Sequence, residues 1–353
     1  MDRNPSQFYH RAWLATLLVL FAATFAADAQ VRRTELSLPT QNRAIFGPDP
    51  SQFYMYTNRS FEGRQSRPWQ AGKYGYVRNP RRTSSGIVYA KFHEGADIRP
   101  VSRDRSGNPL DIVRAISAGK VVHVNPSSSA SNYGRYVVVK HDWGYGPFYS
   151  LYAHLSTISC KVGQSVRPGT AIAKMGYTGA GLNRTRAHLH LELNMMISPR
   201  FQRWYDKHFT SPNRHGNYNG INLAGLDVAG LYLAHRRDPN LSIPQFMARM
   251  RVYYKVLIPN KGLPEILRTY PWLGRDMVKA KKNPSWELSL SSSGIPLAVR
   301  PSTQSVRTPT VSWVTPSSVS HSWNTRSRLT GSGSSAKLSS SGLRYIQQLA
   351  GGF

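Results

Sequence analysis

A mainly β fold is predicted for this 353-residue chain: a compact antiparallel β-sheet or sandwich core followed by a helical C-terminal extension. Three observations over residues 80–197 carry that expectation. Short alternating apolar and polar runs recur at Ile112 to Ile116, Lys120 to Val124, Tyr136 to His141, Tyr149 to His154 and Ala171 to Met175, the pattern of half-buried antiparallel strands. Turn-forming groups separate them, among them Ser106-Gly-Asn-Pro109, Trp143-Gly-Tyr-Gly-Pro147 and Arg167-Pro-Gly169, where Gly, Pro and Asn supply the backbone angles that turns require. No ten-residue helical period interrupts the series.

Residues 1–29 read as a secretory signal. Arg3 and Arg11 give a positive start, Ala12 to Ala26 is apolar except for Thr16 and Thr24, and Ala27-Asp-Ala29 fits a small-residue cleavage site, which predicts Gln30 as the mature N-terminus. The run falls short of the roughly 20 residues a spanning helix needs, no cysteine follows it for lipid attachment, and no second stretch approaches spanning length. Residues 30–73 lack sustained periodicity and predict an irregular extension, one able to cover a site; Phe53-Tyr-Met-Tyr56 suggests a short strand. Residues 74–197 are the core, opening at Tyr74 to Pro80, with a polar stretch at Val101 to Gly107. Residues 198–280 switch to helical spacing. Ser242-Ile-Pro-Gln245 is a good helix start, and Phe246, Met247, Met250, Tyr253, Tyr254 and Leu257 form an i, i+3, i+4 stripe that predicts a helix docked on the core. Leu263 to Leu267 and Trp272 to Lys279 predict shorter helical pieces. Residues 281–353 are Ser-, Thr- and Pro-rich and, from Leu288 on, contain six Lys or Arg and no acid. They predict a basic, largely flexible tail, with short strands at Trp286 to Leu288 and Pro296 to Val299 and a terminal helix over Ser341 to Leu349.

Chemistry concentrates between His93 and Glu192. His93-Glu-Gly-Ala-Asp97, Tyr152-Ala-His154-Leu155 and His188-Leu-His190-Leu-Glu192 place four histidines and an aspartate in strand-like sequence. Residues two apart share a strand face, so His188, His190 and Glu192 point away from Leu189, Leu191 and Leu193. The same alternation predicts Ser150, Tyr152 and His154 on one face, with Leu151, Ala153 and Leu155 behind. Neighbouring strands lie about 4.8 Å apart, so such side chains can meet at a metal. The single cysteine, Cys160, excludes a Cys-rich structural zinc site and is expected as a small buried residue. His and Asp suit zinc without selecting it uniquely. The helical H-E-x-x-H pattern is absent, so a histidine must handle protons. His123 and His141 are expected as structural histidines, and His208, His215 and His235 match no metal spacing.

His93-x-Gly95-x-Asp97, Tyr152-x-His154-Leu155 and His188-x-His190-x-Glu192, with Asn132-Tyr-Gly134, Val162-Gly-Gln-Ser-Val166 and Met175-Gly-Tyr-Thr-Gly179 in order between them, resemble the lysostaphin/LytM-type (M23) zinc endopeptidases of cell-wall peptidoglycan. The resemblance covers roughly residues 74–195; it implies an entry strand at Tyr74 to Pro80 and makes Val101 to Gly107 an extra polar loop near the site that shapes substrate access. It implies a fold like the duplicated hybrid motif, one Zn2+ held by His93, Asp97 and His190, and His154 and His188 as unliganded catalytic histidines. It also implies attack of a zinc-bound water on a peptide carbonyl, with either histidine open as the base. Glu192 is then a hydrogen-bond partner that fixes an imidazole tautomer.

Net charge is +29, and residues 1–29 contribute none of it, since Arg3 and Arg11 balance Asp2 and Asp28. Such a surface attracts polyanions; acidic envelope polymers and lipid headgroups fit an exported chain, whereas no nucleic-acid motif is present. The expected protein is a secreted zinc metalloendopeptidase of peptidoglycan, exported across the inner membrane to the periplasm or cell envelope. The alternatives are a non-catalytic or latent regulator or scaffold of other wall hydrolases, and a basic envelope-binding protein with an incidental zinc site.

Overall fold

The computed structural model describes residues 34–278 and 283–353; the expected signal over residues 1–29 lies outside them. The fold is mainly β and its ladders are antiparallel, as expected. In chain order the strands are β1 (Arg59–Phe61), β2 (Arg64–Ser66), β3 (Gly75–Thr83), β4 (Gly86–His93), β5 (Ala96–Ile98), β6 (Ile112–Arg114), β7 (Gly119–Asn125), β8 (Tyr136–Asp142), β9 (Pro147–Ala153), β10 (Leu155–Ile158), β11 (Ser165–Val166), β12 (Ala171–Met175), β13 (Leu189–Met196), β14 (Leu223–Leu226), β15 (Tyr254–Pro259), β16 (Ser285–Leu290), β17 (Pro296–Ser302), β18 (Thr310–Val314), β19 (Leu329–Thr330) and β20 (Lys337–Leu338), the last two paired with each other.

The main sheet has the order β11-β7-β8-β9-β13-β14, with β5 also paired to β13. One face buries Val137, Val139, Tyr152, Leu189, Leu191 and Leu193 in a core shared with the smaller sheet β10-β12-β6, through Val113, Leu155, Ile172 and Met175. The other face carries Tyr136, Val138, Tyr149, Leu151 and Ala153. Two hairpins, β1-β2 and β3-β4, stand apart from these sheets.

The N-terminal extension is tied down from residue 34 onward. Ser37 N donates to Ile116 O, Met55 N to Asp97 O and Arg99 N to Phe53 O. Phe53 and Met55 are buried, with Tyr54 bridged to Ile98. Cys160 is half-buried against the core.

Two C-terminal expectations are corrected. The predicted long helix ends early: Ser242 and Gln245 form a capping box, the helix covers Ile243–Ala248, and Tyr254–Pro259 is a strand. Tyr254, Leu257 and their neighbours fit both a 3.6 and a 2.0 period. Pairing with β16 and β18 decides for the strand, burying Tyr254, Val256 and Ile258. Helices do occur in this region, at Phe201–His208, Val228–Arg237 and Glu265–Thr269, but β14 joins the main sheet.

Residues 283–353 are not a flexible tail. They complete the four-stranded sheet β17-β16-β15-β18 and end in the helix Ser340–Ala350, with Trp286, Leu288, Leu290, Val299, Ile346 and Leu349 buried. Sparse apolar residues suffice because alternation puts nearly all of them on one face, and serines serve as caps and turn partners: Ser291 Oγ accepts from Ile295 N and Ser339 Oγ from Gly342 N. No helix among the described residues is long and apolar enough to cross a membrane.

Candidate active site

Five strand ends and turns converge on one point. His93 ends β4, Asp97 sits in β5, and His190 and Glu192 lie on β13 with His188 just before it. The β5–β13 register sets His190 opposite Asp97, and that close pairing depends on Gly95. A Cβ there would fall 2.3 Å from Leu191 O, which only the absence of a side chain avoids.

His154 arrives differently from expectation. His190 pairs with Ala153 and Leu191 with Tyr152, so Ser150 and Tyr152 belong to the leucine face, away from the site. His154 follows the last residue of β9 with a left-handed backbone, φ 63°, and its N donates to Tyr133 O. That turn breaks the alternation and brings its ring to 4.8 Å from His188 and 5.7 Å from His190, centroid to centroid.

Three donor atoms face one another in a buried cluster: His93 Nε2, Asp97 Oδ1 and His190 Nδ1. Their separations are 3.1 Å (His93–Asp97), 2.9 Å (His190–Asp97) and 3.2 Å (His93–His190). Tetrahedral ligation with bonds near 2.0–2.1 Å sets ligand atoms about 3.3 Å apart, so the three fit one zinc after small adjustments. The far ring nitrogens are engaged as well. His93 Nδ1 is 2.7 Å from Lys73 O, and His190 Nε2 is 2.8 Å from Glu192 Oε1. These contacts leave the ligand nitrogens their lone pairs. Glu192 in turn accepts from Tyr133 Oη (2.7 Å) and Asn194 Nδ2 (2.8 Å).

His188 and His154 are oriented in the same manner. His188 Nδ1 lies 2.7 Å from Arg186 O and His154 Nδ1 2.9 Å from Thr178 O. Each therefore donates through Nδ1–H to a carbonyl, which leaves His154 Nε2 as an acceptor, while His188 Nε2 lies 3.3 Å from Asp97 Oδ1. Burial lowers the pKa of His93 and depresses that of His154 well below its usual range, favouring the neutral rings. Burial opposes the charge on Asp97, but His93, His188 and Arg78 outweigh it and hold the carboxyl well below the usual range. Burial also opposes charge on His190, yet hydrogen bonds to Asp97 and Glu192 overrule it and raise that imidazole to about 10. In the metal-free chain His190 thus holds a proton that a metal would displace.

Sequence reasoning missed Tyr133, Asn194 and His215, and the contact of Arg78 with the cluster. Arg78, on β3, bonds Asp97 Oδ2 and lies 3.1 Å from His93 Nε2. His215 Nδ1 meets Tyr136 Oη at 2.8 Å and lines the groove above the cluster. Asn132-Tyr-Gly134 was the available signal for Tyr133, and the alternation of β13 that for Asn194, two residues after Glu192; Arg78 and His215 lie outside any spacing pattern. His123 and His141 lie elsewhere. His141 is fully buried between Ala118 O and Ser150 Oγ, and His123 packs between Tyr136 and Tyr218. The loop Val101 to Gly107, expected to shape access, contributes nothing to the groove lining; Arg103 ties it to the carbonyls of Arg184 and Thr185.

Residues 91–200 match peptidase family M23. Among curated proteins, the chain is similar to the lipoprotein NlpD/LppB homolog of Pseudomonas aeruginosa, 31% identical over 33% of this chain and 36% of that protein. It is also similar to the uncharacterized lipoprotein YgeR of Escherichia coli, 36% identical over 28% of this chain and 39% of that one. The chain thus spans well under half of these relatives. Among solved structures it is similar to the lysostaphin catalytic domain of Staphylococcus simulans, 29% identical over 34% of this chain and 75% of that one, with a TM-score of 0.25. A zinc-containing peptidase from Vibrio cholerae is 24% identical over 46% of this chain and 37% of that one, with a TM-score of 0.27. Residues 91–200, which hold every ligand candidate and both further histidines, are the part of this chain that matches peptidase family M23.

Proposed function

We propose that this chain is a zinc metalloendopeptidase that hydrolyses peptide bonds of bacterial cell-wall peptidoglycan, exported by its first 29 residues to the periplasm or envelope. The observation that supports it most is the convergence of His93 Nε2, Asp97 Oδ1 and His190 Nδ1 beside two further histidines, each held at Nδ1 by a main-chain carbonyl. Zinc bound there supplies Lewis acidity toward a peptide carbonyl and toward water. The chain's own residues do the rest. His154 and His188, held by carbonyls at Nδ1, accept a proton at Nε2 from the attacking water and return it to the leaving amine; either geometry allows the first transfer. Once protonated, the same imidazoles donate to the oxyanion that develops at the carbonyl. Glu192 fixes His190 with its Nδ1 toward the cluster.

The test is incubation of the chain from Gln30 to Phe353 with zinc and isolated peptidoglycan, with mass spectrometry of the released muropeptides. New peptide termini are expected with wild type and not with His188→Ala. His188→Ala should keep its zinc, whereas His190→Ala should lose it. Zinc and wall binding without new termini would instead assign the chain to the regulators of other wall enzymes, and equal zinc in all three proteins would contradict the ligand roles.

A further inference from the structure

The groove over the cluster is basic beyond what its structure uses. Arg59, Arg78, Arg81, Arg82, Lys91 and Arg186 line it. Three of these are engaged: Arg78 by Asp97, Arg82 by Glu62, and Arg59 by Val77 O and the face of Tyr89. For Lys91, Arg81 and Arg186, no carboxylate among the described residues lies within ion-pair distance.

Two placements make this more than a surface excess. Lys91 stands directly opposite Arg78 in the β3–β4 register; Lys120 and Lys140 face each other in the same way on β7 and β8, and what sets Lys91 apart is that it lines the groove beside the cluster. Asp97 answers Arg78 only. Arg186 is half-buried, its one polar contact being Nε to Tyr56 O at 3.3 Å, and a guanidinium withdrawn from water without an anion is costly. Lys91 comes two residues before His93 and Arg186 two before His188, so both cations flank the chemistry. The acids in the groove are spent, Glu94 on Arg326 and Asp97 on the cluster. The uncharged lining, Asn132, Tyr133 and Asn219 among it, offers hydrogen bonds suited to a peptide backbone.

We infer that the groove is built for an anionic peptide, whose free carboxylates pair with Arg186 and Lys91 while its amide lies at the His93–Asp97–His190 cluster, and that uncharged or amidated peptides are poor ligands. This rests on the peptidase reading and specifies its substrate class. Arg186 and Lys91 are specificity residues; Arg81, farther along the hairpin, extends the same field.

The experiment measures binding of two fluorescent synthetic stem peptides, identical except that the side-chain and C-terminal carboxylates of one are carboxamides in the other. The protein is the zinc-loaded His188→Ala chain, so that the ligand is not consumed. The carboxylate peptide is expected to bind about tenfold more tightly, with the preference shrinking as salt rises. Lys91→Gln and Arg186→Gln should each cost roughly threefold to tenfold for that peptide only, and Arg186→Gln keeps the main-chain carbonyl that holds His188. The double variant Lys120→Gln, Lys140→Gln changes more charge on exposed residues outside the groove and should leave the preference intact. Equal binding of the two peptides overturns the inference, as does an equal loss in the Lys120/Lys140 variant. An intact preference in a chain whose wild type cuts no peptidoglycan refutes the peptidase reading and not this one.

Discussion

Replacing Gly95 by alanine is expected to damage the metal cluster without touching a ligand. The added Cβ would meet Leu191 O at 2.3 Å, Leu191 C at 2.9 Å and Glu192 Cγ at 3.0 Å. Ordinary van der Waals contact begins near 3.4 Å, so β5 must retreat from β13 by about 1 Å, and the obstacle is backbone that cannot rotate away. The ladder that has to open is only three pairs long, Ile98–Leu189, Asp97–His190 and Ala96–Leu191, and its middle pair is two of the three ligand candidates. Overpacking of this kind costs about 1–3 kcal/mol. Metal–ligand distances tolerate only about 0.2 Å, so the retreat of Asp97 should weaken zinc binding at least about tenfold. Urea unfolding of metal-free protein gives the first quantity, and titration against a zinc chelator gives the second. Gly95→Ala stability within about 0.5 kcal/mol of wild type, with unchanged zinc affinity, would refute the claim that close strand approach is what the glycine provides.

Two further outcomes are expected. Glu192→Gln should be nearly neutral for folding, because Asn194 Oδ1 has no partner and its amide can turn to accept from the new NH2 group. Glu192→Leu strands Tyr133 Oη, His190 Nε2 and Asn194 Nδ2 together and should cost about 3–5 kcal/mol; similar urea midpoints for the two variants would sink this account. His141 is pushed down to about 4 by burial. A depressed imidazole contributes stability that is complete above its unfolded value of 6.5 and is lost as pH falls toward 4. The loss should be on the order of 3 kcal/mol. Unfolding of metal-free wild type and His141→Gln at pH 7 and pH 4.5 should show a flatter pH dependence in the variant; parallel losses would exclude His141 as the source.

What could be read from the residues alone was the part governed by local periodicity. Alternation along β13 placed His190 and Glu192 opposite the leucines, and short spacing brought Asp97 near His93. Alternation failed at His154, where a positive φ turns the ring onto the other face, a choice set by Tyr133 O and Thr178 O rather than by the run itself. Arg78 was illegible for a different reason. The bulge that breaks the register between Tyr76 and Arg78 aims it at Asp97 from outside any motif. The C-terminal third misled because its apolar residues are few. Composition measures how many there are, whereas burial depends on their sharing a face, as Trp286, Leu288 and Leu290 differ from their serine neighbours only in needing β15 beside them.

The pairing of β5 with β13 also bears on how the molecule comes into being. Asp97 and His190 are 93 residues apart in sequence, Tyr74 Oη donates to Gly225 O across 151, and Arg326 reaches Glu94 across 232. A chain emerging from its N-terminus holds two ligand candidates early and waits for the third until β13 has appeared and found both β9 and β5. Topologies dominated by such distant pairings fold on the order of milliseconds to seconds, because loop closure is paid for before contacts reward it. The metal cluster is therefore a late event. A chain whose β13 has not yet paired has no complete cluster to fill, and acquisition of zinc would report that the sheet has closed.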